Sequence, residues 1–192
     1  MHLKTPEEDC VTVPVVRWDA LFADMELQAD AWAAGERDAQ VAELTRAERA
    51  SVHLVDRLRS GVGAPVDLLL RTGVRVHGPV VDVAAGWVLL EDGRREHLVP
   101  LPAVVSVRGA PPVAAAGVGS ALRRLGLGHA LRALARDRCP VRCETDGGVV
   151  VGRVDAVGAD HIDIGVADPA DGRPTGIQEA VLVAAVVVVS RW

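Results

Sequence analysis

Gly73-Val74-Arg75-Val76-His77-Gly78 and Gly147-Gly148-Val149-Val150-Val151-Gly152 are the two stretches from which the fold can be read outward. Each carries apolar residues between glycines, in a segment whose neighbours alternate as a half-buried strand does. The match continues in order. Val80-Val81-Asp82-Val83-Ala84 answers to Val154-Asp155-Ala156-Val157-Gly158, and Trp87-Val88-Leu89-Leu90 to His161-Ile162-Asp163-Ile164. Val99 to Val107 answers to Val181 to Val189, and a Pro-Val dipeptide opens both copies at Pro65-Val66 and Pro140-Val141. Between the last two blocks the spacing lengthens from 74 to 82 residues. The extra residues fall in Asp168-Pro169-Ala170-Asp171-Gly172-Arg173-Pro174, whose composition is that of a surface loop, where insertions are tolerated. The chain therefore carries an internal repeat.

Each copy reads as five short strands. In the first, Pro65–Arg71, Val74–Val83, Trp87–Glu91, Arg95–Leu101 and Val104–Val107 are separated by Thr72-Gly73, Ala84-Ala85-Gly86, the hairpin turn Asp92-Gly93, and Pro102. Strands so short and so closely spaced suggest a small barrel. Ahead of the first copy, residues from about Trp18 to Arg59 read as helix. Trp18, Leu21, Phe22, Met25, Ala29 and Trp32 recur at three- and four-residue steps, and a second stripe runs through Leu44, Ala47, Ser51, Leu54 and Leu58. Thr45-Arg46-Ala47-Glu48 has the form of a capping box if the helix breaks there, and Ser60-Gly61-Val62-Gly63-Ala64-Pro65 is a stop signal. Pro111 to Gly117 reads as a linker, and a shorter helix, weakened by Gly126 and Gly128, precedes the second copy.

A helix followed by five short strands, with a glycine in the middle of the second that permits a sharp bend, resembles the Sm/Hfq-like fold. Asp67-Leu68-Leu69-Leu70-Arg71-Thr72-Gly73-Val74-Arg75-Val76-His77-Gly78 is similar to that family's first strand, turn and second strand. Trp87–Leu90 resembles its third strand, and Leu98–Val107 its fourth and fifth. The resemblance covers about 43 residues twice over and implies barrels that assemble through strand edges. It does not carry over an RNA pocket. The family's base-holding Asp and Asn are matched by Ala84 and Val88 in one copy and by Gly158 and Ile162 in the other. The Tyr-Lys-His signature of Hfq is matched by Leu98-Val99-Pro100 and Val181-Leu182-Val183.

The 192 residues include 26 acidic and 21 basic side chains, a net charge of −5, which argues against a surface that binds nucleic acid as a whole. The charge is unevenly placed: net −5 over residues 1–60, 0 over 61–110, +4 over 111–139 and −4 over 140–192. These four blocks are the expected pieces, namely a helical arm, a first barrel, a linker with an Arg-rich helix, and a second barrel. The longest apolar run, Val181 to Val189, is far below the roughly 20 residues of a membrane span, and the opening residues lack a signal-peptide core, so a cytoplasmic protein is expected.

Catalytic, cofactor and metal sites are not expected. Cys10, Cys139 and Cys143 are an odd number without zinc-site spacing, and the six His are scattered. Of Thr72, Ser106, Ser120, Thr145 and Thr175, four lack a nearby His and acidic partner, while Thr145-Asp146 reads as a turn. Asp160-His161-Ile162-Asp163 invites an acid–base or metal reading, but His161 and Asp163 simply share one strand face. Gly117-Val118-Gly119 lacks the Lys-Ser/Thr of a phosphate loop. Two surfaces remain. Arg123, Arg124, His129, Arg132, Arg136 and Arg138 form a basic block that could meet phosphates or an acidic partner, including the acidic N-terminal helix. Trp18, Leu21, Phe22, Met25 and Trp32 form a helix–partner interface.

The expectation is thus an α+β protein: a long N-terminal α-helix followed by two Sm-like five-stranded β-barrels, each preceded by a helix. Its leading function is as a non-enzymatic assembly or adaptor protein, a homo-oligomer or the ligand of a protein partner. The alternative is an RNA- or other nucleic-acid-binding regulator using the Arg-rich helix and the barrel rims, and an enzyme with its site between the barrels is the third. Val181–Val189, apolar on both faces, must be covered by another strand.

Overall fold

The computed structural model describes residues 18–112 and 126–191. Its elements are helices α1 (Trp18–Ser51) and α2 (Leu54–Ser60) and strands β1 (Pro65–Leu70), β2 (Arg75–Val83), β3 (Trp87–Asp92), β4 (Arg95–Pro100) and β5 (Val104–Arg108). Helix α3 (Leu127–Asp137) follows, then β6 (Pro140–Thr145), β7 (Gly148–Val157), β8 (His161–Ala167), β9 (Pro174–Leu182) and β10 (Val186–Arg191). The class is α+β. The chain divides into two compact units between Ser51 and Val52.

The first unit is α1. It runs unbroken through Gly35 as a single helix of 34 residues. Thr45 does not open a capping box. Its hydroxyl donates to the Val41 carbonyl at 2.8 Å, one turn back within the helix. The side chains of Phe22, Met25, Leu27, Trp32, Val41 and Leu44 are all exposed. Those of Trp18 and Leu21, and the whole of Arg123 and Arg124, lie outside the described residues. The helix expected to continue to Arg59 instead ends at Ser51. A new one starts at His53, whose carbonyl accepts from the amides of Asp56 and Arg57. The restart turns Val55 and Leu58 onto the core of the second unit.

In that second unit the ten strands form one antiparallel sheet, in the order β5-β1-β2-β3-β4-β10-β6-β7-β8-β9. It is open, with β5 and β9 at its two ends, so the two halves are joined in a single sheet. The halves repeat each other pair by pair. Val66 opposes Gly78 as Val141 opposes Gly152, and Trp87 opposes Pro100 as His161 opposes Leu182. Leu68 opposes Val107 as Cys143 opposes Val189. Even the bulge between Val80 and Asp82 recurs between Val154 and Ala156. A 3-10 turn precedes the fifth strand of each half, at Leu101–Ala103 and at Val183–Ala185.

The mid-strand glycines explain why this geometry needs glycine. A Cβ at Gly78 would overlap the Glu91 carbonyl oxygen on β3, and one at Gly152 would overlap that of Gly165 on β8. Each marks the point where the second strand crosses closely over the third. Two cores result. Leu58 of α2 lies with Leu68, Leu70, Val80, Val88 and Leu90 in the first. Leu131 of α3 lies with Val141, Cys143, Val154, Ile162 and Ile164 in the second.

Candidate functional site

The seam between the halves is where the two repeats contribute side chains to each other. Strand β10 lies between β6 of its own half and β4 of the other. This accounts for the apolar run Val186–Val189 at its start: all four side chains are buried, β6 pairs along the strand, and β4 pairs with its C-terminal part, Val189 to Arg191. Val187 and Val188 belong to the first core, although the strand comes from the second repeat. In return Ala84, Trp87 and Leu98 of the first repeat belong to the second core, with Val186 and Val189.

Polar side chains fix the register. Leu98 opposes Val189, His97 opposes Ser190 and Glu96 opposes Arg191. The imidazole Nδ1 of His97 lies 2.8 Å from the Ser190 hydroxyl, and Arg191 bonds Glu96 at 2.5 Å and Asp137 at 3.0 Å. Arg71, on the turn after β1, reaches across to Asp146 at 2.6 Å and to the Ala184 carbonyl at 2.9 Å. Burial holds His97 below its ordinary pKa, against the pull of Asp92, and Arg95 lowers it further. The His97–Ser190 pair borders an open cavity of about 620 Å³ that Arg75, Arg94, Arg95 and Arg142 also line. Among the described residues no carboxylate bonds the second His97 nitrogen, so the third group that orients a base in nucleophilic catalysis is not in place.

Among the described residues, no strand pairs with the outer edges of β5 and β9. On β5, Val105 is 63% exposed, whereas its repeat counterpart Val187 on β10 is 0% exposed. On β9, Ile177 and Leu182 are 62% and 58% exposed, whereas Pro100, the counterpart of Leu182, is buried. Sequence reading located the apolar run Val181–Val189 but not the division within it. Its C-terminal half is the seam strand, while Leu182 stands at an open edge.

On α3 the expected face forms. His129, Arg132 and Arg136 are exposed, with Arg138 just past the helix end in a left-handed conformation (φ 53°). Leu127, Ala130, Leu131, Leu134 and Ala135 turn inward. Among the described residues none of these arginines enters an ion pair. Val88 and Ile162, expected from the resemblance to stand where Sm-like proteins hold a base, are fully buried, and Ala84 is 3% exposed, so these side chains are core.

Elsewhere, Asp160 bonds His161 Nδ1 at 2.8 Å on the surface. That bond raises the imidazole pKa and lowers the carboxyl pKa. Thr145 accepts from the amides of Gly147 and Gly148, a turn as expected. Among the described residues no three His, Cys, Asp or Glu side chains gather to hold a metal ion, and no helix is long and apolar enough to cross a membrane. Cys143 is buried in the second core, where loss of water, and then the charge of Glu179, push its thiol up to about 12. A thiolate is the reactive form, so Cys143 is inert in the fold. Thiol labelling at pH 8 with peptide mapping should modify Cys143 only after denaturant is added, and labelling at the rate of the half-buried Cys139 would contradict its burial. Compared with known proteins, the chain matches no family model and no curated protein sequence.

Proposed function

We propose that the chain is a cytoplasmic, non-enzymatic assembly or adaptor protein built on two Sm-like small barrels, engaging itself or protein partners through its strand edges and α1. The observation that carries this reading is the β4–β10 seam. The sequence already uses edge-to-edge strand pairing to join one repeat to the next, and it leaves the same two kinds of edge open at β5 and β9. The Sm-like reading is supported by the order of elements in each half: a helix, five strands, a glycine in the second strand and a 3-10 turn before the fifth. Light scattering on the full chain at micromolar concentration tests the self-assembly. A mass that is a multiple of 20.2 kDa is expected, and a strict monomer overturns that arm. Co-purification from the host, scoring protein and RNA separately, tests the adaptor arm.

The arginines of α3, which enter no ion pair among the described residues, favour a second reading, contact with the phosphates of RNA. RNA binding that is tight and salt-dependent, and that Arg132→Ala with Arg136→Ala abolishes, would replace the first reading with this one. Either single substitution, which leaves binding measurable, would then reduce the slope of log affinity against log salt by about 1.

A further inference from the structure

We infer that β9 of one chain pairs antiparallel with β5 of a second copy of the same chain, in the register of the internal seam, so that copies join head to tail. The inference rests on the self-assembly reading above and names its partner and its residues.

The internal seam supplies the template. β4 of the first repeat pairs with β10 of the second, and the repeat equates β4 with β9 and β10 with β5. The sheet thus has, at its two ends, one copy of each half of an interface that it has already formed once. Carrying the observed pairs over by the 82-residue spacing places Val107 opposite Ala180, Arg108 opposite Glu179 and Gly109 opposite Gln178.

The side chains support this register. His97 and Ser190 are opposed and hydrogen-bonded in the seam, and their counterparts are Glu179 and Arg108. Directly opposed residues of an antiparallel pair share a face, so a carboxylate and a guanidinium would meet where the internal seam has a neutral pair. Both residues are exposed, and neither enters an ion pair among the described residues. A second complementarity falls at the turns. Arg71 and Asp146 occupy equivalent places in the two repeats and bond each other across the internal seam. The same step from chain to chain brings Asp146 of one copy to the side where the next presents Arg71, so the signs match again. The apolar residues agree as well, since Val105, Ile177 and Leu182 are exposed at these edges. β9 is nine residues long, with its only proline at the first position and no lysine to guard it. An edge of that kind is a template for another strand.

Because β5 and β9 are different surfaces, the contact is heterologous and one chain can pair at both ends. Charge reversal tests it on the full chain. Arg108→Glu should set two carboxylates against each other across the contact, and Glu179→Arg should set two guanidinium groups against each other. Each variant alone should weaken self-association by about tenfold or more. A mixture of the two should reassemble, because the contact between unlike variants that joins their unaltered edges keeps its opposite charges, and the contact that joins their altered edges restores them in reverse. The double variant R108E/E179R should reassemble for the same reason. A misfolded chain could not be rescued by mixing, and circular dichroism of each variant alone confirms the fold. Light scattering of the wild type, the two single variants, their mixture and the double variant is the readout. Assembly of wild type that neither single variant weakens, or single variants that mixing does not rescue, would overturn the β9–β5 contact while leaving self-assembly through another surface standing. A wild-type chain that stays at 20.2 kDa overturns both this contact and the self-assembly arm, and leaves the adaptor arm to the co-purification.

Discussion

Gly152→Ala is expected to destabilise the sheet unit by at least about 3 kcal/mol, a large part of the roughly 5–15 kcal/mol that holds a domain folded. The added atom is a single methyl group, and its place decides the cost. A Cβ at Gly152 would overlap the Gly165 carbonyl of β8 and press on the Ile164 side chain. The obstacle is backbone held in a sheet ladder, so relief requires β7 and β8 to part and the second core to open with them. Gly86→Ala is the matched comparison. Gly86 lies in the loop between β2 and β3, and a Cβ there meets nothing within 4 Å. That change should alter stability by no more than about 0.5 kcal/mol. Chemical denaturation of the two variants beside wild type gives the difference directly. Equal stability of Gly152→Ala and wild type would mean that the second strand does not cross the third as closely as described.

These glycines also show what could be read from the sequence. Strand positions were legible because alternation and Gly/Pro punctuation are local signals, and β1 to β5 lie within a few residues of the spans they suggest. The duplication was legible for the same reason. The partner of each edge was not. Val186 to Val189 announce a strand that must be covered on both sides, but which strand does so depends on a contact between residues far apart in the chain, Leu98 and Val189 among them. The break after Ser51 was also hidden, because no glycine or proline marks Val52-His53. For the candidate surfaces, the exposed face of His129, Arg132 and Arg136 follows from helical periodicity alone. The opposition of Arg108 and Glu179 does not. The two are 71 residues apart in the chain, and they fall opposite each other only once the register of the internal seam is known.

Val188→Asp is expected to cost about 4 kcal/mol or more and to unfold both halves together. Val188 lies on β10 of the second repeat, is 1% exposed and belongs to the first core. A carboxylate there has to be buried among Leu68, Leu90 and Val99, or else β10 must leave the seam and take Val186 and Val189 out of the second core. Either response damages both cores, since each contains side chains from the other repeat. Ser106→Asp isolates the effect of the seam. Ser106 holds the equivalent position on β5, but it is exposed, and among the described residues no strand lies outside it. At chain concentrations dilute enough for a monomer, that change should cost less than about 0.5 kcal/mol. Scanning calorimetry should show wild type and Val188→Asp each melting in one transition, the second far below the first. Two separate transitions in wild type would mean that the repeats fold independently and that the β4–β10 seam is a contact between finished domains. A single transition would mean that edge pairing completes the fold of each repeat, so that β5 and β9 are the two places where that completion has been left to another strand.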